Sequence, residues 1–149
     1  MEWLDKVIEL EGGYVDDPTD RGGETKYGIS KKAYPNEDIK NLTIERAKQL
    51  YIQDYVKPCK ADLLNKDIQY AHFDAAVNHG VKGAAKILQR ASGVKDDGII
   101  GKKTLKACEN LSLERYLLFR AFYYMEIVGN NPSQYKYIKG WANRLKHIL

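Results

Sequence analysis

The pair Gly12-Gly13 constrains this chain more than any other feature. Before it, Trp3, Leu4, Val7, Ile8 and Leu10 recur at helical spacing. Two successive glycines then give that pattern a C-terminal stop. After it comes an acidic, irregular stretch, with Pro18 and Gly22, Gly23 and Gly28 breaking any regular element. Residues 9–30 carry six carboxylates: Glu9, Glu11, Asp16, Asp17, Asp20 and Glu24. A first helix must therefore end abruptly and hand over to a Gly-rich acidic loop. That loop has room for a short hairpin, with Tyr14-Val15 and Tyr27 to Ile29 as its strands.

The rest of the chain reads as helix. Thr43 can cap a helix through Ile44, Ala47, Leu50, Tyr51 and Tyr55, with Pro58 just beyond it. Residues 67–79 place Ile68, Ala71, Ala75 and Ala76 on one side, and residues 82–92 do the same with Ala84, Ile87, Leu88 and Ala91 before Gly93. A turn at Asp97-Gly98 leads into a short helix over about 102–109. Ser112 can cap a long apolar helix that Asn130, Asn131 and Pro132 break. A last helix carries Tyr137, Ile138, Trp141, Ala142, Leu145 and Leu149. Neither a repeat nor a linker interrupts the 149 residues, so the expectation is a single, mostly α domain with a short β-hairpin and loop region after the first helix.

Composition excludes several classes. No run approaches the roughly 18 apolar residues of a membrane span, so no membrane insertion is expected. The N-terminus has acids and lacks a basic region followed by an apolar one, so no secretory signal is visible. The net charge of +4 favours anionic partners, but acids separate the basic residues and no nucleic-acid motif appears. Cys59 and Cys108, 49 residues apart, read as free thiols, with a disulfide between them as the alternative. His72 and His79 are seven apart rather than four, and the acidic loop lacks the EF-hand spacing. No metal and no cofactor are expected.

Glu11 is the residue with the most chemistry in it. It lies seven after Leu4 and three after Ile8, on the apolar stripe of the first helix. Burial there and the negative end of the helix dipole would both raise its pKa and let it donate a proton near neutral pH. Glycosidases need such an acid beside a second carboxylate. The plainer reading is a solvated Glu at a helix end. Asp20 and Thr25 follow in the facing loop, where an Asp can stabilise positive charge or orient a water. Asp16, Asp17 and Glu24 read as turn-forming or solvated. Trp141 reads either as a sugar platform or, from its stripe with Ile138, Ala142 and Leu145, as core. Asp97 and the two glycines of DDGIIGKKT (96–104) read as a tight turn into a helix.

The stretch EGGYVDDPTDRGGETKYGIS (11–30) resembles the signature of the glycoside hydrolase family 108 N-acetylmuramidases, lysozyme-like enzymes of phage lysis systems and bacterial secretion loci. The resemblance continues at DAAVNHG (74–80), at LQRASGVKDDGIIGKKT (88–104), around Arg120, Tyr123 and Tyr124, and at GWANR (140–144). It implies a lysozyme-like fold, Glu11 as catalytic acid, and the β-1,4 bond between N-acetylmuramic acid and N-acetylglucosamine as substrate. The order Glu11, Asp20, Thr25 is also similar to the catalytic trio of phage-type lysozymes, where the Asp-to-Thr gap is one residue longer. The resemblance brings Tyr27 beside the catalytic signature as a ring that can stack on a sugar. It brings Asn78 near the sugar cleft, where its amide can bond an acetamido group or a hydroxyl; a structural hydrogen bond is the equal alternative. Asp74 reads as a structural acid. Residues from about 80 to 149 resemble the family's peptidoglycan-binding region.

These readings converge on a bacteriolytic peptidoglycan hydrolase acting as a monomer. The alternatives are a wall-binding protein without catalysis and a chitinase-like hydrolase of the same fold. The chain is expected to be made in the cytoplasm and to act in the periplasm or cell wall, with a holin or a secretion system for export.

Overall fold

The computed structural model describes residues 1–19 and 21–149, so the expectation for Asp20 lies outside the described residues. The chain forms two compact units, residues 1–54 and 55–149.

In the first unit, α1 (Glu2–Glu11) buries Leu4 and Ile8 and packs on α2 (Ile44–Tyr51). Between them lies a small antiparallel sheet of β1 (Val15–Asp16), β2 (Glu24–Lys26) and β3 (Ile29–Ser30), in that order. The register sets Val15 opposite Thr25 on one side and Thr25 opposite Ser30 on the other. Tyr27 was expected in a strand, but it stands in the two-residue turn between β2 and β3. Thr43 caps α2 as expected, its hydroxyl accepting the Arg46 N–H at 3.1 Å. The helix expected to run on from it to Tyr55 instead passes into a π-helical turn, Ile52–Val56.

In the second unit, α3 (Lys57–Cys59) and a 3-10 turn, Ala61–Leu63, lead to α4 (Lys66–Ala91). Gly80 breaks α4 with φ 79° and ψ 161°, a conformation open to a residue without Cβ. That break is why the sequence shows two helical patterns, 67–79 and 82–92. Both expected faces are buried, through Ile68, Ala71 and Ala75 and through Ala84, Ile87 and Leu88. α5 (Lys102–Ala107) follows, then α6 (Leu113–Asn130), whose Ser112 cap accepts the Arg115 N–H. A 3-10 turn, Pro132–Tyr137, joins α6 to α7 (Ile138–Ile148). α4 packs along α6, with Tyr116 fully enclosed at that contact's core. The expected class, mostly α with a short β region after the first helix, is the one found. No helix among the described residues is long and apolar enough to cross a membrane.

Candidate functional site

In the first unit the hairpin is bonded to the end of α1. Gly12 stops the helix at φ 80°, and its carbonyl accepts the Tyr27 N–H at 2.9 Å. Tyr27 and Gly28 form the turn with φ 53° and 78°, the sign pattern of a type I′ hairpin. Glycine suits the second position; tyrosine at the first is strained, because a Cβ disfavours positive φ. The Tyr51 hydroxyl, buried on α2, donates to the Tyr27 carbonyl at 3.0 Å and holds the turn. Gly28 also has no room for a side chain. A Cβ there would stand 2.2 Å from the Tyr51 hydroxyl oxygen and 3.1 Å from Cγ of Glu11. The turn therefore rests directly against the stem of Glu11.

The expected burial of Glu11 is not met. Leu4 and Ile8 on the same stripe are fully buried, yet the Glu11 side chain is exposed. The helix ends at this residue, so the stripe runs past the surface that covers its first two turns. Among the described residues no hydrogen bond or ion pair reaches its carboxylate. Thr25 is half-buried in the middle strand, and Tyr27 is half-buried in the turn.

Asp17 and Glu24 act locally. Asp17 Oδ1 accepts both the backbone N–H and the hydroxyl of Thr19, at 2.9 and 2.7 Å, and these bonds hold its carboxyl below the usual range. The Tyr14 hydroxyl donates to Glu24 Oε1 at 2.7 Å, which pushes the Tyr14 phenol up to about 12. Asp16 faces Glu24 across the strands.

The second unit holds a polar cluster on the facing sides of α4, α6 and α7. Asp74, 7% exposed, accepts from Arg120 Nη1 at 2.7 Å and from both Nε and Nη2 of Arg144 at 2.9–3.2 Å. Arg120 is wholly buried and also donates to His79 Nε2, at 3.3 Å, and to the Tyr124 hydroxyl, at 3.2 Å. Because guanidinium only donates, the His79 proton must be on Nδ1. Burial and the Arg120 charge push His79 down to about 4. His72, fully buried, is likewise pushed down to about 4, with burial as the largest cause. Its Nε2 donates to the Cys59 carbonyl and its Nδ1 accepts from the Tyr116 hydroxyl, both at 2.9 Å. Neither histidine belongs to a metal-binding cluster among the described residues.

Asn78 hangs at the edge of this cluster. Its side chain is exposed, and its amide donates back to the Asp74 carbonyl at 2.8 Å. Trp141 is half-buried and stacks on Tyr124, with ring centroids 4.6 Å apart and planes 19° apart. Beside it, α6 and α7 enclose a pocket of about 310 Å³ with an almost wholly apolar wall. The Asp97 turn is structural: Gln89 Nε2 donates to Asp97 Oδ1 at 2.8 Å, and Gln89 Oε1 accepts the Gly98 N–H at 2.9 Å. Cys59 and Cys108 are free and buried.

Sequence reasoning did not assign a role to Tyr51, Gly28 or the Arg120–Asp74–Arg144 cluster. The Tyr-Gly dipeptide between two β-prone stretches is the local signal for the turn. No local signal exists for Tyr51, whose partner is 24 residues away.

Residues 4–80 match the family described as glycosyl hydrolase 108. Residues 83–146 match a second family, described as a predicted peptidoglycan domain. Among solved structures, SagA of Brucella abortus is similar, with a TM-score of 0.73 and 30% identity over 99% of this chain and 89% of that one. No curated protein matches the sequence.

Proposed function

Because this chain belongs to the glycosyl hydrolase 108 family, a family of lysozyme-like glycoside hydrolases, we propose that it cleaves the β-1,4 bond between N-acetylmuramic acid and N-acetylglucosamine in peptidoglycan, with Glu11 as general acid. The observation that carries this reading is the Glu11 stem lying against the strained Tyr27-Gly28 turn, with its carboxylate open to a ligand. In the proposed reaction the C1–O4 bond breaks and the Glu11 proton goes to the leaving oxygen. Water then adds to C1, and its proton leaves to a carboxylate. Asp20 and Thr25 are the candidates to stabilise positive charge at C1 and orient that water. Glu11 is exposed in the free chain, and a bound glycan would exclude water from it. Tyr27 supports sugar stacking from the same turn.

The match over residues 83–146 supports peptidoglycan as the polymer engaged by the second unit. There the exposed Asn78 has an amide oxygen that can accept from a sugar hydroxyl. Trp141 is a candidate sugar platform, while its stack on Tyr124, its contact with Tyr137 and its place in the wall of the apolar pocket support a packing role equally well. Export by a holin or a secretion system remains part of the proposal.

The test is release of new reducing ends from purified peptidoglycan by Glu11→Gln. General acid catalysis is worth about 10²–10⁴-fold, and a loss of that size is expected. A folded variant with full activity overturns the assignment. Wild-type protein that sediments with peptidoglycan but releases no reducing ends would point to the binding-only alternative, and faster release from chitin would point to the other.

A further inference from the structure

The charge of this protein is unevenly placed. Over residues 1–126 twenty basic and twenty acidic side chains cancel, while residues 127–149 hold Lys136, Lys139, Arg144 and Lys146 and no acid. The entire net charge of +4 therefore sits in the last 23 residues. Arg144 turns inward to Asp74, which leaves three lysines to face outward.

The same region carries the apolar pocket. In its wall Met125 is 65% exposed on α6 and Ile138 41% on α7. On α6, Leu118, Phe122 and Met125 fall at i, i+4 and i+7 and are all exposed, so they form one outward stripe beside the pocket. On α7, Lys139 and Lys146 are three before and four after Ala142, which lines the pocket, so both stand on the pocket's rim. Glu114 stands at the far end of the stripe, and Glu126 is engaged by Arg90 at 3.0 Å. A large exposed apolar patch of this kind marks an interaction surface.

We propose that this α6–α7 face docks peripherally on an anionic phospholipid bilayer, with the lysines on the headgroups and the apolar stripe and pocket taking up the acyl boundary. Three features favour lipid. An apolar face rimmed by lysines and flanked by Tyr135, Tyr137 and Trp141 is the composition of elements that lie in a bilayer interface. A glycan would leave its hydroxyls without partners against a wall that offers almost no polar atom. A second copy meeting this face about a two-fold axis would bring the same lysine rim to both sides of the contact. The surface is separate from Glu11 and does not depend on the reaction assigned to it.

The experiment is flotation of the full chain with vesicles of phosphatidylcholine alone or with 30% phosphatidylglycerol. Co-flotation with the anionic vesicles and its loss at high salt are expected. Each lysine near such a surface strengthens binding by about fivefold, so K139E/K146E should weaken it at least twenty-fold. M125Q should weaken it at low salt as well, while both variants keep wild-type folding by circular dichroism. Equal binding to neutral vesicles, no binding to anionic ones, or binding untouched by both variants overturns the proposal. A lipid-free dimer in sedimentation that M125Q dissolves would also overturn it and assign the face to a second copy. Loss of retention on insoluble peptidoglycan by the same variants, without vesicle binding, would assign it to the wall.

Discussion

Glu11 and Asp74 are both carboxylates carried on helices beside apolar neighbours, and the surroundings make them opposites. Asp74 is enclosed and shared between two guanidinium groups, one of them wholly buried. Glu11 is exposed, with a strained turn against its stem and no partner among the described residues. A carboxylate whose oxygens are all taken up by its own fold has no free acceptor left to offer a substrate. One left unpaired beside a rigid backbone has its chemistry in reserve. The two sites thus separate an acid spent on structure from the one proposed for catalysis by satisfaction rather than by residue type.

That contrast can be broken by experiment. The largest effect expected is on Glu11→Gln: a fall of about 10²–10⁴-fold in reducing-end release with a melting temperature close to wild type, since an exposed surface change usually costs under about 0.5 kcal/mol. If stability fell instead, Glu11 would be a structural acid like Asp74. Next is Asp74→Asn, which leaves Arg120 buried beside a neutral group. Removing one member of a buried pair costs about 3–5 kcal/mol, so urea unfolding should shift strongly, while any molecules still folded keep Glu11 chemistry.

A drop in pH acts on the buried side of the comparison. His72 is neutral in the fold down to about 4, whereas in the unfolded chain it takes a proton near 6.5. Stability is therefore complete above about 6.5 and falls as pH drops toward 4, because only the unfolded state binds the proton in that window. The full shift corresponds to about 3 kcal/mol, and His79 acts in the same direction. A thermal unfolding series from pH 7 to 4 checks this; His72→Gln should shrink the fall and leave the part due to His79. A flat wild-type profile would mean the histidines are protonated in the fold.

The smallest effects sharpen the turn. Tyr51→Phe removes the hydroxyl that holds the Tyr27 carbonyl and should cost about 1 kcal/mol. Gly28→Ala should cost more, from its positive φ and the clash at 2.2 Å, and part of that cost should vanish in the Tyr51→Phe background, where the clashing oxygen is gone. Additive costs in the double variant would show that the hydroxyl and Gly28 do not meet.

Much of the fold was legible because it rests on local rules. Thr43 and Ser112 cap the helices they were expected to cap, and Gly12 ends α1, since side-chain oxygens near free N–H groups and residues tolerant of positive φ act over a few residues. The alternation of Ile68, Ala71 and Ala75 identified a buried face for the same reason. The π-helical turn after Tyr51 was not legible, because no local residue signals it. Glu11 stood out as the candidate acid through its periodicity and the signature around it, but its exposure was not legible. Periodicity says which side of a helix a residue is on, not how far the covering surface extends.

By itself the sequence determined where helices start, stop and show an apolar side, and that one acid stands at the end of such a helix. These follow from backbone geometry and side-chain spacing within a turn or two. Only the tertiary structure decided that Asp74 is shared by arginines 46 and 70 residues away, that Tyr51 secures a turn 24 residues back, and that Glu11 is left open. Those outcomes depend on which distant groups packing brings within bonding distance, and no local rule contains that information.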